Sequence, residues 1–111
     1  MQKDFSKRIP LELLCLALLK ERDMYGYEMM LEIEERSGQL LSPNITTLYV
    51  VLKKLTEKGY VSVYYSDSPV TRERLRVYYH FENSAKEYYK ELYDEYRQTT
   101  QGIKNFLKAK R

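Results

Sequence analysis

The change of sequence period at Gly59 is the feature that most constrains the fold of this chain. Residues 43–58 follow a helical pattern, with Ser42 as a cap, Pro43 in the first turn and Gly59 as a terminator directly after Lys58. From Val61 onward, apolar residues alternate with polar ones, which is the period of a strand. A well-bounded helix followed at once by a strand predicts a small fold that combines helices with a β segment.

The helix predicted over residues 43–58 has two distinct faces when its residues are placed on a wheel of 100° per residue. One face is apolar and consists of Ile45, Leu48, Leu52 and Leu55. The opposite face is small, hydroxylated and basic, and consists of Thr46, Thr47, Val50, Lys53 and Lys54. Such a face suits entry into a major groove, because it offers little bulk, hydroxyls for bases or phosphates, and cations for the backbone. An ordinary solvated helix has the same pattern, so the face alone leaves both interpretations open.

Two alternating runs after this helix predict a β-hairpin. The first run alternates Val61, Val63 and Tyr65 with Ser62, Tyr64 and Ser66; the second alternates Leu75, Val77, Tyr79 and Phe81 with Arg74, Arg76, Tyr78 and His80. Because an isolated hairpin is marginal in water, we expect its apolar side to lie against the helices. Its other side and its tip then combine tyrosines with Arg72, Arg74 and Arg76.

Two helices are predicted before residue 43. Pro10 and a nearly continuous apolar run from Leu11 predict a first helix that ends near residues 20–22, and its lack of a polar face places it at the centre of the fold. Residues 26–36 predict an amphipathic second helix, stopped by Ser37 and Gly38, whose glutamates face solvent.

A last helix is predicted from a cap at Asn83 or Ser84 to about Lys108. Its less polar residues recur with heptad spacing: Ala85, Tyr89, Leu92, Tyr96, Thr99, Ile103 and Phe106. Because so long a seam needs a partner, we expect a symmetric homodimer formed through it; the alternative is a monomer with this helix folded back. The expected fold class is mainly α with a small β-hairpin, a winged helix-turn-helix over residues 1–82 followed by a dimerisation helix over residues 83–111.

Charge and cysteine content exclude several classes of protein. Residues 42–81 hold six lysines and arginines against three acidic residues, whereas residues 1–41 hold six against eight. This basic middle segment is compatible with nucleic acid as a partner. Cys15 and His80 are the only residues of their types, so no intrachain disulfide and no closed zinc site can form. We expect a cytoplasmic protein with no cofactor, no metal and no membrane span, because the apolar run from Ile9 to Leu19 is too short to cross a bilayer.

No catalytic constellation is visible in the sequence, which predicts that the chain is not an enzyme. A glycine-rich phosphate loop is missing, and so is any Ser, His and Asp set. Cys15 lies in the apolar first helix, far along the chain from His80.

The order of helices and hairpin is that of a winged helix-turn-helix, and specific residues resemble the PadR-like transcriptional regulators. Residues 24–28 (MYGYE) are similar to the start of that family's second helix, and residues 42–61 (SPNITTLYVVLKKLTEKGYV) to its third. Arg74, Arg76, Tyr78 and Tyr79 occupy the family's pattern at the end of the wing. Two features depart from the family: residues 82–85 (ENSA) replace its usual step into the last helix, and residues 66–73 at the wing tip contain no glycine.

The resemblance implies a homodimeric repressor that binds a pseudo-palindromic operator in double-stranded DNA, with its third helices in successive major grooves. The residues expected to contact bases are Asn44, Thr46, Thr47 and Val50. Those expected to contact phosphates are Lys53, Lys54, Arg72, Arg74 and Arg76, with Tyr27 and Tyr49 as hydroxyl donors. For Tyr49, packing in the core is an equally good interpretation.

The resemblance also implies release from DNA by a planar aromatic ligand held at the dimer interface. The residues expected to contact that ligand are Tyr89, Leu92, Tyr93 and Tyr96. The alternative is that these rings only pack the dimer. A second class of function also stays open at this point, namely a dimeric winged-helix module that binds another protein and does not bind DNA selectively.

Overall fold

The computed structural model describes residues 8–67 and 75–109, which form four helices and three strands around one core. The elements in chain order are α1 (Leu11–Glu21), β1 (Met24–Tyr25), α2 (Gly26–Arg36), α3 (Ile45–Glu57), β2 (Val61–Asp67), β3 (Leu75–Phe81) and α4 (Ala85–Lys108). This architecture confirms the predicted fold class, which is mainly helical with a small β wing.

The sheet has three antiparallel strands in the order β1-β3-β2, so the predicted two-stranded hairpin is incomplete. Strands β2 and β3 pair as expected, with Val61 opposite Phe81 and Tyr65 opposite Val77. The additional strand β1 lies between the two helices predicted before residue 43 and pairs Met24 with Tyr79. Two residues are too few to show a period of two, so this strand exists only because β3 supplies its hydrogen-bond partners.

Helix α1 lies at the centre of the core, as its apolar sequence predicts, and contacts α2, α3, β3 and α4. The fully buried side chains include Leu16, Met24, Met29, Leu48 and Leu52, which come from α1, β1, α2 and α3. Cys15 is also buried, and this desolvation, followed by the charge of Glu12, raises the pKa of its thiol to about 12.

The apolar side of the hairpin lies against the helices along β3 and at the start of β2. Val61 and Tyr79 are buried, whereas Val63 is exposed and the Tyr65 side chain is 68% exposed. The expectation that Val63 and Tyr65 pack on the helices is therefore wrong, because both lie on the edge strand β2, whereas their partners Tyr79 and Val77 on the central strand β3 pack on the core. The side chains of Val63 and Tyr65 are therefore accessible on the same side of the wing as the buried Val61 and Tyr79.

Helix α4 is continuous through Gly102 and only its first half packs on the rest of the chain. Ala85 is buried, and Tyr88, Tyr89 and Leu92 pack against the core, whereas every described residue after Thr100 is exposed. Ser84 precedes the helix, but its hydroxyl donates to the Gly59 carbonyl at 2.7 Å instead of capping it. The 24 residues of α4 extend about 36 Å at 1.5 Å per residue, so the second half projects from the body.

Gly26 begins α2 at the point where the Tyr49 ring of α3 approaches its backbone. A Cβ atom at position 26 would lie 2.5 Å from Tyr49 Cε1 and 2.9 Å from its hydroxyl oxygen, both shorter than contact distance. The lack of a side chain at Gly26 therefore allows the Tyr49 ring, and with it α3, to lie close to the backbone of α2. Tyr49 has the packing role that the sequence left open, although its ring stays partly exposed.

We predict that Gly26→Ala lowers the free energy of unfolding by about 1–3 kcal/mol, because the new methyl group must displace the Tyr49 ring. In a Tyr49→Ala background the same change should be neutral or stabilising, since alanine is the better helix former. Urea denaturation of the four proteins of this cycle measures the difference. Gly102→Ala is the matched control: nothing lies within 4 Å of its new Cβ, and it should stabilise α4. An equal cost of Gly26→Ala in both backgrounds would contradict the steric explanation.

Candidate nucleic-acid interface

Asn44 caps α3, and the helix begins two residues later than the sequence predicts. The Asn44 Oδ1 atom accepts hydrogen bonds from the backbone N–H groups of Thr46 at 2.8 Å and Thr47 at 3.2 Å. Ser42, the predicted cap, instead donates its hydroxyl to Glu34 at 2.7 Å, and Pro43 is buried before the first helical turn. Asparagine is among the best capping residues, and here its side-chain oxygen is used within the protein.

The outward face of α3 is exposed in the way that the helical wheel predicts. Thr46, Val50, Lys53 and Lys54 are exposed, Thr47 is half-buried, and the opposite stripe of leucines is fully buried. Within residues 8–67 and 75–109, neither lysine forms an ion pair. The end of α3 therefore presents two positive charges that the described protein does not neutralise.

A group of tyrosines lies between α3 and the core-facing side of the wing. Burial raises the pKa of the Tyr79 phenol, and the neighbouring phenols of Tyr49 and Tyr65 raise it further. The Tyr79 phenol of β3 is therefore influenced by phenols from both α3 and β2. Tyr65 was not among the residues predicted to contact DNA. The sequence signal that could have identified it is a tyrosine placed beyond the last core residue of a strand.

The other side of the sheet holds a second aromatic cluster, which includes Arg76. The Arg76 guanidinium lies 4.4 Å from the centroid of the Tyr25 ring. Tyr78 contacts Tyr25 edge to face at 5.6 Å and stacks on Tyr64 at the same centroid distance. Arg76 is half-buried in this arrangement, so its cation is held in place by an aromatic face.

Asp23 joins this cluster to the base of the wing. Its two carboxylate oxygens accept a hydrogen bond from the Tyr64 hydroxyl at 2.7 Å and contact His80 Nδ1 at 2.8 Å. The hydrogen bond to Asp23 raises the pKa of His80. Partial desolvation alone raises the pKa of Asp23, but the hydrogen bonds from Tyr64 and His80 outweigh it and bring that pKa below its ordinary value. Asp23 thus links β2 and β3 to the segment before α2.

The remaining predicted DNA contacts lie at two other places. Arg72 and Arg74 lie outside the described residues. Tyr27 is exposed on the second residue of α2, where its hydroxyl is accessible. Of the residues predicted to contact DNA, those of α3 lie together on one helix face. Arg72 and Arg74 of the wing are not among the described residues.

A groove beside α4 contains two of the four residues predicted to contact a ligand. It has a volume of about 410 Å³ and is lined by Leu92 and Tyr96 of α4, by Leu13 of α1, and by the charged residues Arg8, Glu12 and Glu95. Tyr89 and Tyr93 are not part of this lining and contact each other at a centroid distance of 6.3 Å. Lys20 lies over the Tyr89 ring and Arg97 over the Tyr93 ring.

The heptad residues of α4 fall into a packed group and an exposed group. Ala85, Tyr89 and Leu92 pack against the core of their own chain. Tyr96, Thr99, Ile103 and Phe106 are exposed. The seam predicted for dimerisation is thus used within the chain over its first half only.

Two other kinds of site are not found in the described part of the chain. No three His, Cys, Asp or Glu side chains among residues 8–67 and 75–109 come together in a way that could bind a metal ion. None of the described helices has the length and apolar character needed to cross a bilayer.

Comparison with known proteins gives concordant matches in sequence and structure. Residues 15–91 match the family described as the transcriptional regulator PadR-like family. An uncharacterized protein from Lysinibacillus sphaericus is 33% identical over 99 residues, which are 89% of each chain. A transcriptional regulator from Clostridium thermocellum is 30% identical, with 97% of this chain and 100% of that chain covered and a TM-score of 0.82. The structure of Bacillus subtilis PadR in complex with operator DNA is 27% identical, with 76% of this chain and 45% of that chain covered and a TM-score of 0.62.

We predict that Asn44→Ala lowers the free energy of unfolding by about 1 kcal/mol, because two backbone N–H groups of α3 lose their acceptor. Asn44→Ser should keep most of the stability, since a serine hydroxyl caps equally well. Thermal and urea unfolding followed by circular dichroism measure both values. Equal stability of the alanine and serine variants would mean that the cap contributes nothing.

We predict that Asp23→Asn lowers the pKa of His80 toward its ordinary value of about 6.5. His80 is the only histidine, so its ring protons give a single NMR titration.

A raised folded pKa means that the contribution of His80 to stability is complete below about pH 6.5 and is lost as the pH rises through the folded pKa. The contribution of Asp23, whose pKa is lowered, is present above about pH 3.9 and is lost as the pH falls through its folded pKa. The pair therefore stabilises most between these limits, by less than about 1 kcal/mol because His80 is half exposed. An unchanged titration in Asp23→Asn would contradict this assignment.

Proposed function

Since this chain belongs to the transcriptional regulator PadR-like family, we propose that it is a homodimeric repressor that binds a specific DNA operator through α3 and the wing. Family membership also confirms that the chain is a regulator and not an enzyme. Operator DNA, which the related Bacillus subtilis PadR binds, is the partner proposed here. The site of action would be the cytoplasm, where the DNA is accessible.

The observation that carries this proposal is the outward face of α3. Thr46 and Val50 leave little bulk on the exposed surface, and Lys53 and Lys54 offer cations at its end. Thr46, Thr47 and Val50 are the proposed base contacts, because short side chains allow the helix backbone to approach base edges. Asn44 stays a proposed contact at the start of the helix, although its Oδ1 atom caps α3. Lys53 and Lys54 are the proposed phosphate contacts.

The wing would contact the DNA backbone beside the groove that α3 occupies. Arg72, Arg74 and Arg76 are the proposed phosphate contacts on the wing, with Tyr27 and Tyr49 as hydroxyl donors nearer to α3. Tyr65 joins this set, because it is exposed and because its phenol, like that of Tyr49, raises the pKa of Tyr79. Phosphate contacts of this kind fix the position of the protein and bases supply the specificity.

The exposed half of α4 supports a dimer. Ile103 and Phe106 continue the heptad seam beyond the point where α4 leaves its own core, and both are exposed in the single chain. A second copy would cover this apolar stripe. In a two-fold dimer the α3 helices would contact half-sites about 34 Å apart, which is one turn of DNA. We therefore propose residues 1–82 as the DNA-binding unit and residues 83–111 as the dimerisation helix.

The groove beside α4 supports release by a small ligand. Tyr96 offers an aromatic face and Leu92 an apolar wall, and among the charged lining residues the two acidic ones, Glu12 and Glu95, outnumber Arg8. This combination suits a planar aromatic molecule with a positive charge. Because Tyr89 and Tyr93 do not line this groove, we narrow the proposed ligand contacts to Leu92 and Tyr96. A ligand at the dimer interface would release DNA only by binding more tightly to a dimer whose α3 spacing does not fit the operator.

We predict that Lys53→Ala with Lys54→Ala weakens binding to operator and to random duplex alike. The slope of log affinity against log salt should fall by about one for each phosphate that the variant no longer neutralises. Thr47→Ala should instead change the sequence preference. The operator is first selected from a random pool of duplexes, and fluorescence anisotropy then measures the affinities. Lys86→Ala with Lys90→Ala, two exposed lysines of α4 with the same charge, is the matched control and should leave the affinity unchanged.

Failure to select any duplex would contradict DNA recognition and favour the protein-interaction module. Equal affinity in the Lys53/Lys54 and Lys86/Lys90 variants would contradict the docking of α3.

We predict that a planar aromatic cation quenches tyrosine fluorescence and that Tyr96→Ala abolishes this binding while the dimer persists. Tyr93→Ala removes an equally exposed ring outside the groove and should retain binding. Fluorescence titration measures binding, and sedimentation measures the dimer. Loss of binding in Tyr93→Ala with retention in Tyr96→Ala would place the ligand elsewhere on α4.

A further inference from the structure

The outward face of α3 contains three β-branched side chains, Thr46, Thr47 and Val50, which we call the β-branched patch. We infer that this patch receives the C5-methyl group of a thymine, so that each half-site of the operator has a thymine opposite Val50. The inference rests on the proposed function, and it goes further by naming the base feature that α3 recognises.

The residues of the β-branched patch are neighbours on the surface of the helix. Val50 follows Thr46 by four positions and Thr47 by three, and side chains at these spacings have Cβ atoms about 5–6 Å apart. Val50 is 49% exposed, Thr46 is exposed and Thr47 is half-buried. Each of these side chains has a γ-methyl group and few rotamers, because branching at Cβ restricts χ1. The patch therefore offers methyl groups whose positions are largely fixed before DNA binds.

The hydrogen-bonding side chains of α3 discriminate poorly between bases. Bidentate recognition of guanine or adenine in the major groove uses arginine, lysine, asparagine or glutamine. The structure describes all of α3 (Ile45–Glu57), and this helix contains no Arg, Asn or Gln. Its lysines, Lys53 and Lys54, lie after the patch and are the proposed phosphate contacts. Glu57 is the last residue, whereas recognition helices contact bases through their N-terminal residues.

Asn44 is also limited as a base contact. An asparagine recognises adenine by accepting at its side-chain oxygen and donating from its amide nitrogen at the same time. The Oδ1 atom of Asn44 already accepts hydrogen bonds from the backbone N–H groups of Thr46 at 2.8 Å and Thr47 at 3.2 Å. Bidentate recognition of adenine would therefore break the cap of α3. Threonine hydroxyls can bind to more than one kind of base, so the apolar surface of the patch is the more selective feature.

Thymine is the base that matches an apolar surface in the major groove. Of the four bases, only thymine presents a methyl group there, and its contact with the patch removes apolar surface from water. A cytosine at the same place would bring its amino group against Val50, which cannot accept a hydrogen bond. The stability of α3 does not explain an exposed valine, because alanine and lysine are better helix formers. Val50 therefore favours thymine and disfavours cytosine.

Replacement of thymine by deoxyuridine tests the contact from the side of the DNA. Deoxyuridine has the hydrogen-bonding groups of thymidine and lacks only the C5-methyl group. The thymines of an operator selected from a random pool are replaced one at a time, and fluorescence anisotropy measures the affinity of the full-length protein. We expect one thymine in each half-site at which the replacement weakens binding about fourfold, which corresponds to the burial of one methyl group. The other thymines are internal controls and should have smaller effects.

Substitution of Val50 tests the contact from the side of the protein. Val50→Ala removes both γ-methyl groups and should remove most of the effect of deoxyuridine at that thymine. Val50→Thr keeps the branched shape with one methyl group and should retain a smaller effect. Val63→Ala is the matched control, because Val63 is a valine of similar exposure, 42%, that lies on β2. It should leave the effect of deoxyuridine unchanged, and circular dichroism confirms that each variant is folded.

The outcomes separate this inference from the proposed function. A thymine whose methyl group contributes to binding by the wild type and by Val63→Ala, but not by Val50→Ala, supports the inference. An operator in which no thymine methyl group contributes overturns the inference and leaves the proposed DNA recognition intact. The same follows if the effect of deoxyuridine persists undiminished in Val50→Ala and Val50→Thr. Failure to select any duplex overturns both.

Discussion

The burial of α1 among the other elements is the constraint on which the rest of the structure depends. Its leucines leave no polar face for solvent, so α2, α3, β3 and α4 must all pack around it. This arrangement buries the three leucines of the apolar stripe of α3 and directs Thr46, Val50, Lys53 and Lys54 outward. The position of the candidate DNA-binding surface therefore follows from the packing of a helix that contains none of its residues.

The close approach of α2 and α3 is a second consequence of this packing. Gly26 accepts the Tyr49 ring against its backbone, and the same ring takes part in the tyrosine group between α3 and the wing. Asp23, in the segment that leads into α2, is hydrogen-bonded to Tyr64 and in contact with His80 of the wing. Helix α3 and the wing are thus joined to the start of α2 by separate contacts, which hold two candidate DNA-binding elements in a fixed relation.

Helix α4 contributes in a different way, because most of its length is not used by its own core. Its first half covers α1, and the groove near Tyr96 lies where the helix begins to leave the body. The projecting half ends in an apolar and basic segment that is exposed in the single chain. In the proposed dimer, the same helix would determine the distance between the α3 helices and would form one wall of the ligand groove. A change in helix packing would then alter the spacing of the DNA contacts.

Much of the fold could be predicted from local patterns, because hydrophobic period and end signals are properties of neighbouring residues. The four helices, the β2–β3 pairing, the buried stripe of α3 and the likeness to PadR-like regulators all follow from such patterns in the sequence. Strand β1, the cap at Asn44, the fit of Tyr49 against Gly26 and the exposure of Tyr65 required the tertiary structure. Each of these features depends on residues that are distant in sequence, or on where the helical core ends. The hydrophobic period of a local segment does not contain this information. The sequence by itself determined which residues could form a DNA-binding surface, whereas only the packing around α1 decided which of them lie together.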